Sequence, residues 1–419
     1  MQLEASIKFA KKLDEKDPLR KFRKQFYFPK HKGKKAIYCC GNSLGLQPKT
    51  VEKSIKQELK DWKNLAVGGY YAAKNPWLFY QDNFKRALAK MMGCRKEEVT
   101  VMNALTVNLH LLLLSFYRPS GQRFKIIMEA GAFPSDQYAV ETQVKFYGYD
   151  PATAIIEVAP RAGEKLLRTE DIIKTIEDSK ETVALVLLGG INYYTGQLYD
   201  IKSITNAAHQ AGAIAGFDLA HVAGNVPMDL GKWKVDFAVW CSYKYLNGGP
   251  GAVAGIYINR KYATDIAYPR LAGWWGNDEK IRFKMEKGFI AKPGASGWQM
   301  STSQVFNMVA LKASLQIFEE AGMKNIRKKS ILLTNYLEFL LNQLDNIHFE
   351  IITPTDHLQR GAQLSLYFTE NAKAIHQRLI ESGVIVDYRE PGVIRVAPAP
   401  LYNSFLDVYR FYEILRDFG

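Results

Sequence analysis

Two residues of this chain sit where an α/β protein does its chemistry. The apolar, β-rich run Ala213–Phe217 leads straight into Asp218-Leu219-Ala220-His221, and Val235–Trp240 leads into Cys241-Ser242-Tyr243-Lys244. Ligands of open α/β sheets gather beyond the carboxyl ends of the strands. The interval from Asp218 to Lys244 is long enough for one crossover to a nearby strand, so a carboxylate and an amine can meet in one crevice. Either residue alone is as readily a helix-capping aspartate or a surface lysine. The pair at successive strand ends asks for a joint role.

Pyridoxal phosphate supplies one. A carboxylate beside the pyridine nitrogen keeps it protonated, so the ring accepts electrons from a substrate α-carbon. A lysine amine forms an imine with the aldehyde and then carries protons. His221 is placed to orient or polarise Asp218. Asn103-Ala104-Leu105-Thr106 precedes the apolar helix Val107–Phe116. Thr106 reads as its cap, and the free N–H groups of such a helix start make a phosphate site. Phe133 is a candidate to stack on a cofactor ring, or else a core aromatic. Arg395, inside the apolar run Val393-Ile394-Arg395-Val396, must find an anion: a substrate carboxylate held bidentately, or a structural ion pair. The cluster Gly248-Gly249-Pro250-Gly251 does not spell a dinucleotide fingerprint and reads as a tight turn beside the lysine.

The elements that must position these groups follow from periodicity. Strands are expected at Lys125–Met128, Thr182–Leu188, Ala213–Phe217, Phe237–Trp240 and Ala252–Ile258, with helices at Pro134–Val144, Thr169–Asp178 and Ile201–Gln210 between them. Continuous apolar strands alternating with helices mean a mainly parallel sheet covered on both faces. Beyond Gly273–Gly297 the texture changes to two long helices over 304–344, punctuated by Gly322. Short strands follow near Phe349–Ile352, Gln363–Tyr367, Val384–Val386 and Val393–Val396, with helices at 371–382 and 404–417, an α+β pattern. The expected division is an N-terminal helical extension (1–35, helix over 3–14), a large domain (36–303) and a small one (304–419).

Composition sets bounds. Residues are 47% hydrophobic and 23% charged, ordinary for a globular protein with a large core. No apolar run of membrane-spanning length and no secretory leader appear, so a cytoplasmic location is expected. The net charge of +14 is spread along the chain and mixed with acids, so a solvated surface is favoured over a nucleic-acid role. The four cysteines lack metal-ligand spacing and no metal site is expected; Cys39 and Cys40, being adjacent, should point to opposite sides of a strand.

With these residues in view, the chain resembles the kynureninase family, fold-type-I pyridoxal-phosphate enzymes related to class V aminotransferases. The matching blocks are Gly41-Asn42-Ser43-Leu44-Gly45-Leu46-Gln47-Pro48, Met102-Asn103-Ala104-Leu105-Thr106-Val107-Asn108 and Phe133-Pro134-Ser135-Asp136. They continue with Tyr194-Thr195-Gly196-Gln197, Gly216-Phe217-Asp218-Leu219-Ala220-His221, Trp240-Cys241-Ser242-Tyr243-Lys244-Tyr245-Leu246-Asn247 and Arg395-Val396-Ala397-Pro398. The resemblance implies an α/β fold with a seven-stranded, mainly parallel sheet and a smaller α+β C-terminal domain.

It implies roles as well. Lys244 would carry the cofactor, Asp218 would face the ring nitrogen with His221 beside it, and Phe133 would cover the ring. Leu105, Thr106, Ser135, Asp136 and Tyr243 would hold the phosphate and its surroundings. Trp274 and Thr302 would reach the cofactor from the other subunit of a homodimer. Arg395 would take the substrate carboxylate, while Asn42, Ser43, Tyr70 and Ser301 would line the substrate end. The implied reaction is hydrolytic cleavage of L-kynurenine, or its 3-hydroxy derivative, to the anthranilate and L-alanine. Tyr243 is the implied proton relay. Tyr70 stands where animal-type members place a histidine, and Ser301-Thr302 departs from their Ser-Asn. A hydrogen-bonding pocket of this kind leans toward the 3-hydroxy substrate.

Three rivals remain at this stage. A cysteine desulfurase-like lyase needs a nucleophilic thiol on a late loop, whereas the last cysteine is Cys241. An aminotransferase needs a keto-acid acceptor. A binding protein without catalysis leaves the Lys–Asp–His set unexplained.

Overall fold

The computed structural model describes residues 2–418. Seven strands build the main sheet: β1 (Val99–Met102), β2 (Lys125–Glu129), β3 (Ile155–Val158), β4 (Val183–Gly189), β5 (Ile214–Asp218), β6 (Phe237–Trp240) and β7 (Ala254–Ile258). Their spatial order is β1-β7-β6-β5-β4-β2-β3. Neighbours among β2 to β6 run parallel, and β7 alone is antiparallel to its flanking strands β6 and β1. The sheet is therefore the mainly parallel one expected. β1 and β3 are the strands that the periodicity did not announce, and they stand at the two edges of the sheet.

The strands read as continuous apolar runs because each face has its own core. Ile127, Val186, Ala238 and Tyr257 point into one, and Ile126, Met128, Leu185, Val239 and Ile256 into the other. The helices preceding and flanking the sheet are α1 (Ile7–Lys16), α2 (Thr50–Leu65), α3 (Asp82–Met92), α4 (Leu105–Phe116), α5 (Pro134–Phe146), α6 (Thr169–Asp178) and α7 (Ile201–Gln210). Ile172 of α6 and Ile204 of α7 cover the first face, whereas Leu109 of α4 and Val140 of α5 cover the second.

Two long helices follow, α8 (Val305–Ala321) and α9 (Met323–Leu341), broken at Gly322, whose φ is +76°. The remaining elements are β8 (Glu350–Ile351), β9 (Leu364–Tyr367), α10 (Ala372–Glu381), β10 (Asp387–Arg389), β11 (Val393–Val396) and α11 (Phe405–Arg416). These four strands form an antiparallel sheet in the order β8-β9-β11-β10.

The N-terminus belongs to this second core. Helix α1 begins at Ile7 rather than residue 3, because Ser6 Oγ accepts the Phe9 N–H (3.2 Å) and caps it there. Phe9 and Ala10 share a core with Leu337, Val408 and Phe411. The Asp14 carboxylate accepts the N–H groups of Phe405 (2.7 Å) and Leu406 (3.1 Å) at the start of α11. Ile37–Tyr38 pairs in parallel with Val384–Ile385. Along this strand the side chains alternate between cores: Ile37 and Cys39 face the second, Tyr38 and Cys40 the first. The adjacent cysteines do point apart.

Candidate functional site

Four neighbouring elements end at one cleft. β2 delivers Glu129, β4 delivers Gly189 and β5 delivers Asp218, while the segment after β6 delivers Tyr243 and Lys244. The lining also includes Leu105 and Thr106 from the start of α4, Phe133, Ser135 and Asp136 from the start of α5, Tyr193 and His221. Register explains the convergence: Gly189 pairs with Asp218, and Asp218 with Val239, so the ends of β4, β5 and β6 stay level.

The lysine loop is held from two sides. Gly248 N–H donates to Ser242 O (2.8 Å) and Asn247 N–H to Lys244 O (2.9 Å), which makes the Gly cluster the expected tight turn. From the N-terminal loop, Gly45 N–H donates to Tyr243 O (2.8 Å). A Cβ on Gly45 would lie 2.4 Å from Lys244 O, so any other residue here displaces the lysine. The ammonium then stands 5.7 Å from the Phe133 ring centroid and 6.0 Å from that of Tyr243.

Acids dominate the floor. Asp218 is 8% exposed and accepts the Ala220 N–H (2.7 Å). Burial pushes its carboxyl up, while the positive Lys244, the Ala220 N–H and a hydrogen bond from Asp136 oppose that rise. Asp136 is driven well above the carboxylate range by burial and by the neighbouring charges of Asp218 and Glu129, so it holds the proton of this pair. Glu129 is pushed up to about 7, chiefly by burial. Both its oxygens accept the Gly189 N–H at 3.1 Å. Sequence reasoning missed Glu129, although the signal was the one used for Asp218: an acid closing a strand.

Two expectations need correction. Thr106 does not cap α4; the N-cap is Ala104, which offers no side-chain bond, and Thr106 lies one residue into the first turn. Asn108 N–H is the first to be engaged, by Ala104 O (3.0 Å), so the N–H groups of Leu105 and Thr106, both in the cleft lining, have no partner among the described residues. His221 lines the cleft but does not orient Asp218 through a hydrogen bond. Its Nδ1 is buried without a partner, and burial followed by the nearby charges of Lys244, Arg395 and Arg389 pulls its pKa well below normal. Tyr243 is kept neutral by burial and by the Cys241 thiol beside it.

The other expected site residues lie apart from this lining. Arg395 is buried; it donates to Tyr193 O (2.8 Å), a residue of the lining, and pairs with Asp387 (2.6 Å), while its Nε has no partner among the described residues and keeps capacity for an anion. Asn42 Nδ2 donates to Gln363 Oε1 (2.8 Å), and Ser43 sits in the adjoining turn. Tyr70 packs edge-on against Trp77. Trp274 is 46% exposed, with Ser301 exposed and Thr302 half-buried.

The cleft suits a planar anionic aldehyde. It offers an amine, an acid floor, an aromatic wall, free helix N–H groups and an unpartnered imidazole nitrogen. The residues fit pyridoxal phosphate.

Similarity to known proteins agrees with this geometry. The fold matches a cystine C–S lyase, C-DES, in complex with its product cysteine persulfide (TM-score 0.78, 20% identity, covering 92% of this chain and 98% of that one). It also matches the Escherichia coli cysteine desulfurase CsdA (TM-score 0.77, 18% identity, 95% and 98%). At such identities only the fold is shared. A family model described as the kynureninase C-terminal domain matches residues 326–415. Proteins named kynureninase are 51% identical in Christiangramia forsetii (99% of both chains) and 45% identical in Rattus norvegicus (97% of this chain, 92% of that one). Identity this high over the whole length, with the lysine and aspartate blocks of the cleft in place, means that the chain belongs to the kynureninase family.

Proposed function

We propose that the chain hydrolyses L-kynurenine, its 3-hydroxy derivative or both, giving the corresponding anthranilate and L-alanine, with pyridoxal phosphate held at Lys244. The observation that carries this reading is the 51% identity over 99% of both chains to a protein named kynureninase. The cofactor, when bound, supplies an aldehyde for the amine and an electron-accepting ring.

The chain's own groups do the rest. The free N–H groups of Leu105 and Thr106 hold the phosphate at the positive start of α4, with Ser135 and Asp136 shaping the surroundings. Phe133 covers one ring face. Asp218 keeps the ring nitrogen protonated and His221 stays neutral beside it. Lys244 Nζ takes the substrate's α-proton. Water adds to the γ-carbonyl carbon, the Cβ–Cγ bond breaks, the aryl fragment leaves as a carboxylic acid, Cβ gains a proton from the Tyr243 hydroxyl, and Lys244 returns a proton to Cα so that L-alanine is released. A neutral, half-buried phenol is suited to give that proton and regain it. Arg395 binds the α-carboxylate, exchanging its contact with Tyr193 O for the substrate. Asn42, Ser43, Tyr70 and Ser301 face the aryl end.

The desulfurase alternative lacks its reagent. The four cysteines are free thiols, none lines the cleft, and burial raises the Cys241 thiol.

Two copies of the chain pair in this reading, because Trp274 and Thr302 lie outside the cleft of their own chain and belong to a partner's. Trp274 stands among exposed apolar neighbours, Leu271 and Phe283. The chain divides near residues 35 and 303, with the first segment tied to the C-terminal core. Free thiols suit the cytoplasm, and no described helix is long and apolar enough to cross a membrane.

The test is fluorescence of anthranilate or 3-hydroxyanthranilate released from each substrate without a keto-acid acceptor. Lys244→Ala should abolish release, by about 10³-fold or more, and remove the cofactor's visible absorbance while the fold persists. Release by neither substrate sinks the reading.

A further inference from the structure

The acid floor holds one group that the reaction above leaves unused. Glu129 closes β2 at 4% exposure, beside the Gly189–Asp218 register pair. Its two oxygens share the Gly189 N–H, and the next amide, Gly190 N–H, donates to Asp218 O (2.7 Å). The glutamate thus grips the strand end that in turn grips the backbone of Asp218. A Cβ on Gly189 would come within 2.9 Å of Glu129 Oε1, so the close approach depends on glycine there.

The titratable groups that Glu129 acts on or feels are Asp136 from α5, Asp218 from β5 and Tyr199 beyond β4, and the charge of Lys244 acts on both aspartates. No cation pairs with Glu129 itself among the described residues. A structural carboxylate in such a place is normally paired. This one has only backbone amides as partners among the described residues, its own and that of Gly189, and feels the charge of two other acids.

We propose that Glu129 is a positioning residue of the reaction: it fixes the end of β4 against Asp218, and its own charge sets how firmly the cleft holds a proton on a bound cofactor. The proposal rests on the cofactor reading above. The sign follows from electrostatics, since a negative Glu129 behind Asp218 favours the protonated, positive form of the ring system and a neutral Glu129 does not. Its titration near neutrality makes the effect switchable in the working pH range.

Glu129→Gln separates the two roles, because its amide oxygen still accepts the Gly189 N–H while the charge is gone. Holoenzyme reconstituted with pyridoxal phosphate should show the pH midpoint of its visible band lowered in Glu129→Gln by about half to one unit, roughly 3–10-fold in proton affinity. Glu129→Asp, which keeps the charge but withdraws the clamp, should retain the band's midpoint and lower kcat with KM little changed. Superimposable titrations of wild type and Glu129→Gln overturn the proposal.

A second measurement needs no cofactor. Glu129 in the fold titrates at about 7 against an ordinary 4.5, so its contribution to stability is lost as pH rises through 7. The denaturation midpoint of the cofactor-free wild type should fall over that interval more than that of Glu129→Gln; equal falls also count against the idea. If wild type takes up no cofactor, the reading under test is the earlier one, and this stability comparison still decides the charge of Glu129.

Discussion

Asp218 and Asp236 close opposite ends of adjacent strands and live in opposite ways. Asp236, just before β6, offers two oxygens to four donors: His209 Nε2 (2.8 Å), Ala215 N–H (2.8 Å), Lys261 Nζ (2.7 Å) and Tyr262 OH (3.1 Å). Burial works upward on its pKa, but the bonds from His209, Lys261 and Ala215 outweigh it and the net shift is downward. Asp218, at the far end of β5, has the Ala220 N–H and the proton of Asp136, and its pKa is raised. A satisfied acid is spent on the fold. An acid left short of donors retains bonding capacity for a ligand, at a cost in stability. The same residue type on the same sheet is bonded into the fold at one edge and left with open bonding capacity in the cleft at the other, and the count of donors tells them apart.

Removing Asp218 should produce the largest effect on chemistry and the least on the fold. Asp218→Asn is expected to lower kcat by about 10²–10⁴-fold, the range typical of losing a proton-holding group. The cofactor-free protein should be as stable as wild type or more so at pH 7, because a carboxylate that burial disfavours is gone. Steady-state rates and a denaturant titration on the same preparation check both halves. A collapse in stability would make Asp218 another Asp236.

Asp236→Asn should invert that pattern. Breaking a buried, multiply bonded charge costs about 3 kcal/mol, while kcat per folded molecule should stay within about twofold of wild type, since Asp236 is at the other end of the strands from the cleft. The pH profile gives its signature. Asp236 is depressed below 3.8, so its contribution is present above that value and lost as pH falls through its folded pKa. Wild type should lose stability below about pH 4 more steeply than Asp236→Asn, as followed by acid denaturation. A kcat loss as large as that of Asp218→Asn would dissolve the distinction between the two ends.

How much of this could be read from the residues alone depends on what the signal rests on. Helix spans such as Thr169–Asp178 and Ile201–Gln210 coincide with the structure because a long amphipathic period is local. Asp218 and Lys244 were legible because each follows an apolar strand, and strand ends are where α/β proteins bind. Glu129 obeys the same rule, but Ala-Gly-Ala follows it in place of a recognisable block. The contacts of Arg395 with Asp387 and Tyr193 were not legible. They depend on β10 pairing beside β11, and on a loop from the other core arriving at the same point. His221 shows the limit most plainly: spacing puts it near Asp218, but only side-chain direction decides whether they bond. The donor count of Asp236 is equally invisible, since His209, Ala215 and Lys261 come from three separate elements.

The smallest expected effect sharpens the comparison most. Lys261 is one of the four donors to Asp236, and its side chain is 52% exposed. If Asp236 is held by the set rather than by one ion pair, Lys261→Ala should cost about 0.2–1 kcal/mol, as exposed pairs do. The remaining donors still occupy both oxygens. The deficit should shrink further at high salt, because the lost interaction is screened while the His209, Ala215 and Tyr262 bonds are not. Denaturant midpoints for wild type and Lys261→Ala at low and high ionic strength decide it. A loss approaching that of Asp236→Asn would mean that a single surface lysine holds the acid. The contrast between Asp236 and Asp218 would then rest on one counter-ion and not on how many donors each acid meets.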